Sequence, residues 1–195
     1  MAELAIIGLG NPGQRYVDTR HNLGFWLLDQ FCLQLGSKFV YKSKFETEVV
    51  HLQIGTKNCL LLKPMSYMNE SGLHLKKLLA YANCPSDGAI LIHDDITLPF
   101  AALKISRGKG SGGHNGVKSV LNSLGQTMVR FRLGIGKKAD DISLTSHVLS
   151  SFNPVEKEYL NSRKPHFFDA LLKIVDEGVY SAMNLFNQTK ENPHE

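Results

Sequence analysis

The chain predicts an α/β protein, a single-domain three-layer sandwich with a central mixed β-sheet flanked by helices. Two short continuous apolar runs, residues 4–9 and 89–93, read as strands buried on both faces, as in a parallel sheet. Helical patterns alternate with such runs, which implies crossover connections between parallel strands. A pair of strand-like segments around Gly55 implies a hairpin and therefore some antiparallel pairing. A length of 195 residues fits one domain spanning residues 1–195. A chain of this size buries roughly 70% of its unfolded surface without disulfides or metal.

The elements follow in order. The strand at 4–9 ends in the turn Gly8-Leu9-Gly10-Asn11-Pro12-Gly13. Leu23, Trp26, Leu27, Phe31 and Leu35 then recur at helical intervals, predicting a helix over 22–35 that Gly36 stops. Residues 45–52 and 58–63 are the two hairpin strands. A second helix is expected to begin near Asn69, with Leu75, Leu78, Leu79 and Ala82 facing inward. After the strand at 89–93 come a shorter one at 102–105, a glycine-rich loop, a helix through Leu124 and an alternating strand at 130–136. Asn153, Pro154 and Glu156 have the spacing of a capped helix start with proline at its first position, opening a long amphipathic helix. Pro165 is expected to kink that helix and Gly178 to divide it. Neither an internal repeat nor an interdomain linker is visible.

Charge is distributed unevenly. From Lys104 to Lys138 there are eight lysines and arginines and no acidic residue; taking these eight from the chain's 22 leaves 14 against 18 acids. The surplus surrounds the run Gly108-Lys109-Gly110-Ser111-Gly112-Gly113-His114-Asn115-Gly116. Glycine lets backbone N–H groups approach phosphate and the cations supply charge, so this stretch points to a phosphate-bearing partner. A solvated basic loop is the alternative. Hydrophobic residues at 43% and charged residues at 21% exclude wholesale disorder. Cys32, Cys59 and Cys84 are an odd, scattered set that suggests neither a disulfide framework nor structural zinc and fits a reducing cytoplasm. The start lacks the pattern of a signal peptide, and no apolar run is long enough to span a bilayer.

Polar residues cluster where the ends of strands meet the starts of helices, the edge at which open α/β sheets bind ligands. Asn11, His21, Asn69, Asp94, His114 and Asn115 all fall there. Gly8-x-Gly10-x-x-Gly13 spells a dinucleotide fingerprint, but Pro12 delays the helix and Asp29, the next useful acid, lies inside it, so a structural turn is the better reading. No Walker loop or Gly-x-Ser-x-Gly elbow occurs, and Ser111 beside His114 lacks context as a nucleophile. His93, Asp94 and Asp95 with His21 or His114 could hold a divalent ion, although no ligand spacing supports one. The remaining chemistry is water deprotonated by a histidine whose ordinary pKa, about 6.5, leaves it neutral near pH 7. His21, oriented by Asp94, is the candidate base; two unrelated polar residues at element ends are the alternative.

Ordered motifs narrow this choice. Gly8-Leu9-Gly10-Asn11-Pro12-Gly13, Tyr16, and Thr19-Arg20-His21-Asn22 with Gly24 resemble the opening of the bacterial peptidyl-tRNA hydrolase family. Lys63-Pro64-Met65-Ser66-Tyr67-Met68-Asn69 with Ser71-Gly72, His93-Asp94-Asp95 with Leu98-Pro99, Gly110 to Gly116, and Phe131-Arg132-Leu133-Gly134-Ile135-Gly136 resemble that family's later motifs in order. The resemblance implies a monomeric esterase without metal or other cofactor that cleaves the ester between a peptide and the 3′ ribose of tRNA. It assigns His21 as general base, Asp94 as its partner and Asn11 to telling blocked from free aminoacyl-tRNA. Tyr16, Tyr67, Asn69, His114 and Asn115 would contact the substrate's end. Lys104 and Arg132 would grip the 5′ phosphate and acceptor stem, with Arg107, Lys109 and Lys118 as further cations. A silent relative that only binds RNA, and a metal-dependent phosphoesterase, are the competing classes. Thr97 stands where relatives often carry aspartate, and Ser66 where they carry threonine.

Overall fold

A computed structural model describes residues 2–108 and 110–187. Seven strands form one sheet in the order β2-β3-β4-β1-β5-β7-β6. They are β1 (Leu4–Gly8), β2 (Val40–Lys42), β3 (Thr47–Ile54), β4 (Lys57–Pro64), β5 (Ile90–Asp95), β6 (Leu103–Arg107) and β7 (Val129–Gly134). β4, β1, β5 and β7 are mutually parallel, so Pro64, Gly8, Asp95 and Gly134 end at one edge. β3 turns back on β4, and β6 on β7, making the sheet mixed. The parallel strands are buried on both faces, which is why they read as unbroken apolar runs rather than as alternations.

The helices are α1 (Leu23–Gln34), α2 (Leu75–Tyr81), α3 (Asn115–Leu124), α4 (Leu144–Val148), α5 (Pro154–Glu177) and α6 (Val179–Phe186). On one face, Leu27, Leu28 and Phe31 of α1 and Phe167, Leu171 and Ile174 of α5 pack against Ile6, Ile90, Ile92 and Phe131. On the other, Leu75, Leu78 and Leu79 of α2 and Val117, Val120 and Leu121 of α3 cover Ile7, Leu62 and Leu91. Successive strand residues point to opposite faces, so each strand feeds both cores and the expected three layers result.

Several local expectations change. The second helix does not start near Asn69: Met68–Glu70 is a single 3₁₀ turn, and α2 begins only at Leu75. Gly72 explains the delay, because it lies against the backbone carbonyl of Ser119 and its N–H donates to Ser119 Oγ at 3.0 Å. Packing on α3 sets the chain's path there, so helix propensity does not. β2 and α4 have no distinct sequence signal, being three and five residues long. The helix over Pro154–Glu177 continues through Pro165 and ends at Gly178, whose φ of 89° suits glycine. Asn153 and Glu156 make the reciprocal capping bonds, each 2.9 Å.

One glycine positions the future site. A Cβ on Gly24 would lie 2.5 Å from Ile92 O and 2.6 Å from the Leu9 backbone, so only glycine lets α1 sit this close to the ends of β1 and β5. Gly10 is likewise filled, since a Cβ there would lie 2.5 Å from the Phe25 ring. Its loop packs on protein, in keeping with a structural turn.

Candidate active site

His21 lies in the 3₁₀ turn Arg20–Asn22, immediately before α1. The close seat of Gly24 carries this turn over the carboxyl end of β5, where Asp94 stands. His21 Nδ1 is 2.9 Å from Asp94 Oδ1 and 3.0 Å from Oδ2. His114, arriving from the N-cap of α3, places Nε2 2.9 Å from the same Oδ1. Burial alone would raise the Asp94 pKa, but the charge of His114 and hydrogen bonds from His114 and His21 hold the carboxyl well below its usual range. An ionised carboxylate can only accept, so both imidazoles donate to it.

The tautomers follow. Val117 N–H donates to His114 Nδ1 at 3.3 Å, so the His114 proton sits on Nε2 and faces Asp94. His21 carries its proton on Nδ1, leaving Nε2 bare. Both nitrogens of His114 are thereby engaged within the protein. The ligand atoms of His21, Asp94 and His114 lie within 4.8 Å of one another, the chemistry of a two-histidine, one-carboxylate metal site. In this arrangement a cation would have to displace both bridging protons.

His93 forms the buried back of the site. Its Nδ1–H donates to Asp94 O at 2.7 Å, and its Nε2 is buried without a partner among the described residues. Burial, then the charge of His114, pushes the ring's pKa down to about 3, so it is neutral when folded. An unfolded histidine titrates near about 6.5, and between the two values only the unfolded chain takes up this proton. Stability should therefore fall on acidification from about pH 6.5 towards about pH 3, with a slope of up to about 1.4 kcal/mol per pH unit from this residue. Urea midpoints across that range, for the natural chain and His93→Gln, check it; an equally steep loss in the variant would assign the effect elsewhere.

A cavity of about 170 Å³ is lined by His21, His93, Asp94, His114, Asn115, Ile96 and Arg132 together with Leu144, Thr145 and Val148. Asn11 is buried beside Asn22, the residue after His21. Its backbone exchanges bonds with the Asn22 side chain, each 2.9 Å, and its Oδ1 accepts Met68 N–H at 2.9 Å. The side chain thus has its Nδ2 amide left to offer. Tyr67 and Asn69 flank Met68 and are exposed, while Tyr16 is half-buried with the Arg15 guanidinium 4.6 Å from its ring. Asn11, Tyr16, Tyr67, Asn69 and Lys104 are not among the residues lining this cavity.

Beside it, a second hollow of about 210 Å³ is lined by His93, Ser106, Ser111, Arg130, Arg132 and the glycine-rich loop. Arg132 is committed in part, with Nε 2.6 Å from Asp95 Oδ2 and Nη2 3.2 Å from Thr97 Oγ1. Asp95 also accepts from the Thr97 backbone and hydroxyl at 2.8 and 2.6 Å. These hydrogen bonds outweigh its burial and lower its pKa. Thr97 is therefore a bridge between Asp95 and Arg132. Lys104 pairs with Arg132 across β6 and β7 and is exposed. Arg107 stands 3.8 Å from Asp87, whereas Lys118 is exposed on α3 and Lys109 lies outside the described residues.

Sequence reasoning passed over Arg130, although it was countable in the basic stretch. It is buried, its Nη2 donates to Gly110 O at 2.9 Å, and its Nε has no hydrogen-bond partner among the described residues. The period of two from Arg132 was the available signal, because it puts both guanidiniums on one face of β7. No helix among the described residues is long and apolar enough to cross a membrane.

Comparison with known proteins gives one consistent family. The family model described as peptidyl-tRNA hydrolase matches residues 5–194. A peptidyl-tRNA hydrolase of Thermodesulfovibrio yellowstonii is 36% identical over 190 residues, covering 95% of this chain and 99% of the relative. One from Finegoldia magna is 39% identical over 183 residues, covering 93% and 96%. The crystal structure of peptidyl-tRNA hydrolase from Acinetobacter baumannii superposes with a TM-score of 0.87 at 30% identity, covering 95% of this chain and 94% of that one. With its motifs in order, its mixed sheet matched and its length covered, this chain belongs to the peptidyl-tRNA hydrolase family.

Proposed function

We propose that this chain hydrolyses the ester joining a peptide to the 3′ ribose of tRNA, freeing the tRNA for reuse, with water as nucleophile and His21 as its general base. The observation that carries the mechanism is the bare Nε2 of His21, whose Nδ1–H is fixed on Asp94. Water bound at Nε2 gives up a proton as its oxygen attacks the ester carbonyl. Asp94 remains ionised and stabilises the imidazolium that forms. The imidazolium returns the proton to the departing 3′ oxygen as the tetrahedral intermediate collapses, leaving a free carboxylic acid and a ribose hydroxyl. Asn115 lines the cavity and can donate towards the developing oxyanion.

Selectivity for blocked substrates rests on Asn11. With its Oδ1 occupied by Met68 N–H, the side chain presents a donor. A donor suits the carbonyl of an N-acyl group and opposes an ammonium, which itself only donates, so the free amino acid leaves buried groups unmatched. Tyr16, Tyr67 and Asn69, around the same sheet edge, contact the substrate's end. Lys104 and Arg132, with Arg130 beneath, hold the 5′ phosphate and acceptor stem. Such contacts position without reading sequence, as suits an enzyme acting on many tRNAs.

Hydrolysis of N-acetyl-aminoacyl-tRNA beside its unblocked counterpart is the direct test. Cleavage of the first alone, unaffected by EDTA, is expected; equal cleavage of both, or activity abolished by EDTA and restored by zinc, would overturn the reading. Alanine at Lys104 or Arg132 should mainly weaken tRNA binding and reduce the magnitude of its salt slope by about 1 for each phosphate no longer neutralised. An unchanged slope would mean that other cations hold the phosphates.

A further inference from the structure

The segment from Ser150 onward contributes no residue to the proposed chemistry, yet it grips the base-bearing turn at several points. Arg20, next to His21, donates its backbone N–H to Ser150 O at 3.0 Å and its Nε to Ser150 Oγ at 3.1 Å. Its Nη2 donates to Glu156 Oε1 at 2.8 Å, and its guanidinium lies 4.9 Å from the centre of the Phe152 ring. On the other side of this residue, Thr19 bridges to Ser151, and Asp18 accepts from Phe152 N–H at 3.1 Å and from Lys157 Nζ at 2.7 Å. The backbone before His21 is thus fixed at three consecutive residues by a segment distant in the chain.

We infer that Arg20 is a positioning residue, and that Glu156, by gripping it from the first turn of α5, holds the His21 ring in register with Asp94. The Arg20 side chain is only 13% exposed and its Nη1 is buried without a partner among the described residues, so its orientation depends on the few bonds it makes. Glu156 uses its other oxygen to cap α5, accepting Asn153 N–H at 2.9 Å. One carboxylate therefore joins the start of α5 to the turn carrying the base. The geometry of a general base is sensitive, since a misplacement of about 1 Å can cost about a hundredfold in rate. Arginine is required because its planar fork reaches Ser150 and Glu156 together, which a lysine point charge does not.

This inference rests on His21 being the base, and the two can be tested apart. Glu156→Gln keeps a side chain that can still cap the helix, because glutamine serves at that position, while removing the charge that holds Arg20. Arg20→Lys keeps the charge but loses the fork. Each is assayed well below its own melting temperature, for kcat, for KM and for the ¹⁵N shifts of the His21 ring, which report the nitrogen carrying the proton. Expected for both are a fall in kcat of about tenfold to a hundredfold, KM within about twofold, and loss of the single Nδ1–H tautomer. Unchanged kcat, or a lower kcat with the tautomer intact, would overturn the positioning role. Were His21→Ala to keep full activity, the base assignment would fail, while the ring shifts would still reveal whether Arg20 fixes that histidine.

Discussion

His21→Ala is expected to lower kcat by at least about a hundredfold and to leave the affinity for tRNA nearly unchanged. A positioned base contributes about 10² to 10⁴ in rate, and neither of the other two imidazoles at the site is suited to replace it. His114 has both nitrogens engaged, by Asp94 and by Val117. His93 keeps a bare Nε2, but its ring is buried and its pKa is pushed down to about 3, which makes it a weak base. Affinity should persist because the phosphate contacts are assigned to Lys104, Arg130 and Arg132, none of which is hydrogen-bonded to His21. Single-turnover hydrolysis of N-acetyl-aminoacyl-tRNA, with binding to uncharged tRNA measured separately, decides the matter. A variant within about threefold of the natural rate would remove His21 from the mechanism.

Asp94→Asn should be nearly as damaging, though it changes one atom and little volume. Asp94 Oδ1 accepts from both His21 and His114, while Oδ2 faces His21 alone at 3.0 Å. His114 cannot change its tautomer without losing the Val117 bond, so the asparagine oxygen must stay at the Oδ1 position. Its NH₂ group then stands 3.0 Å from His21 Nδ1, and the single oxygen must serve both histidines, so the Nδ1–H tautomer is no longer enforced. Moving the proton to Nε2 leaves no base facing the ester. The negative charge that stabilised the imidazolium is lost as well. A fall in kcat of about 10² to 10⁴ with little change in KM is expected. The ¹⁵N shifts of the His21 ring check the cause directly, and a variant retaining Nδ1–H and full activity would refute it.

Much of the architecture was legible because it depends on periodicity. Continuous apolar runs marked β1 and β5, helical spacing marked α1, and the Asn153, Pro154, Glu156 cap marked the start of α5. The elements missed or misplaced were those whose boundaries are set by neighbours. β2 exists by pairing with β3, α4 is five residues long, and α2 starts late because Gly72 rests on α3. The helix runs on through Pro165, since the packed turns on both sides outweigh one missing backbone bond, and it is divided from α6 at Gly178 as expected.

By itself the sequence determined the α/β class, the strand edge at which polar residues gather and the basic stretch without acids. Burial patterns and charge are written residue by residue, and the ordered motifs added the family. Only the tertiary structure decided which atoms face one another. It placed His21 Nδ1 on a carboxylate 73 positions away, turned His114 into a second donor to Asp94, and paired Arg132 with Asp95. It also left Arg130 buried beneath the glycine-rich loop and tied Arg20 to α5. Those partners meet where strand ends and helix starts from distant segments converge, and a hydrogen bond formed there depends on angstrom-scale geometry that no local pattern carries.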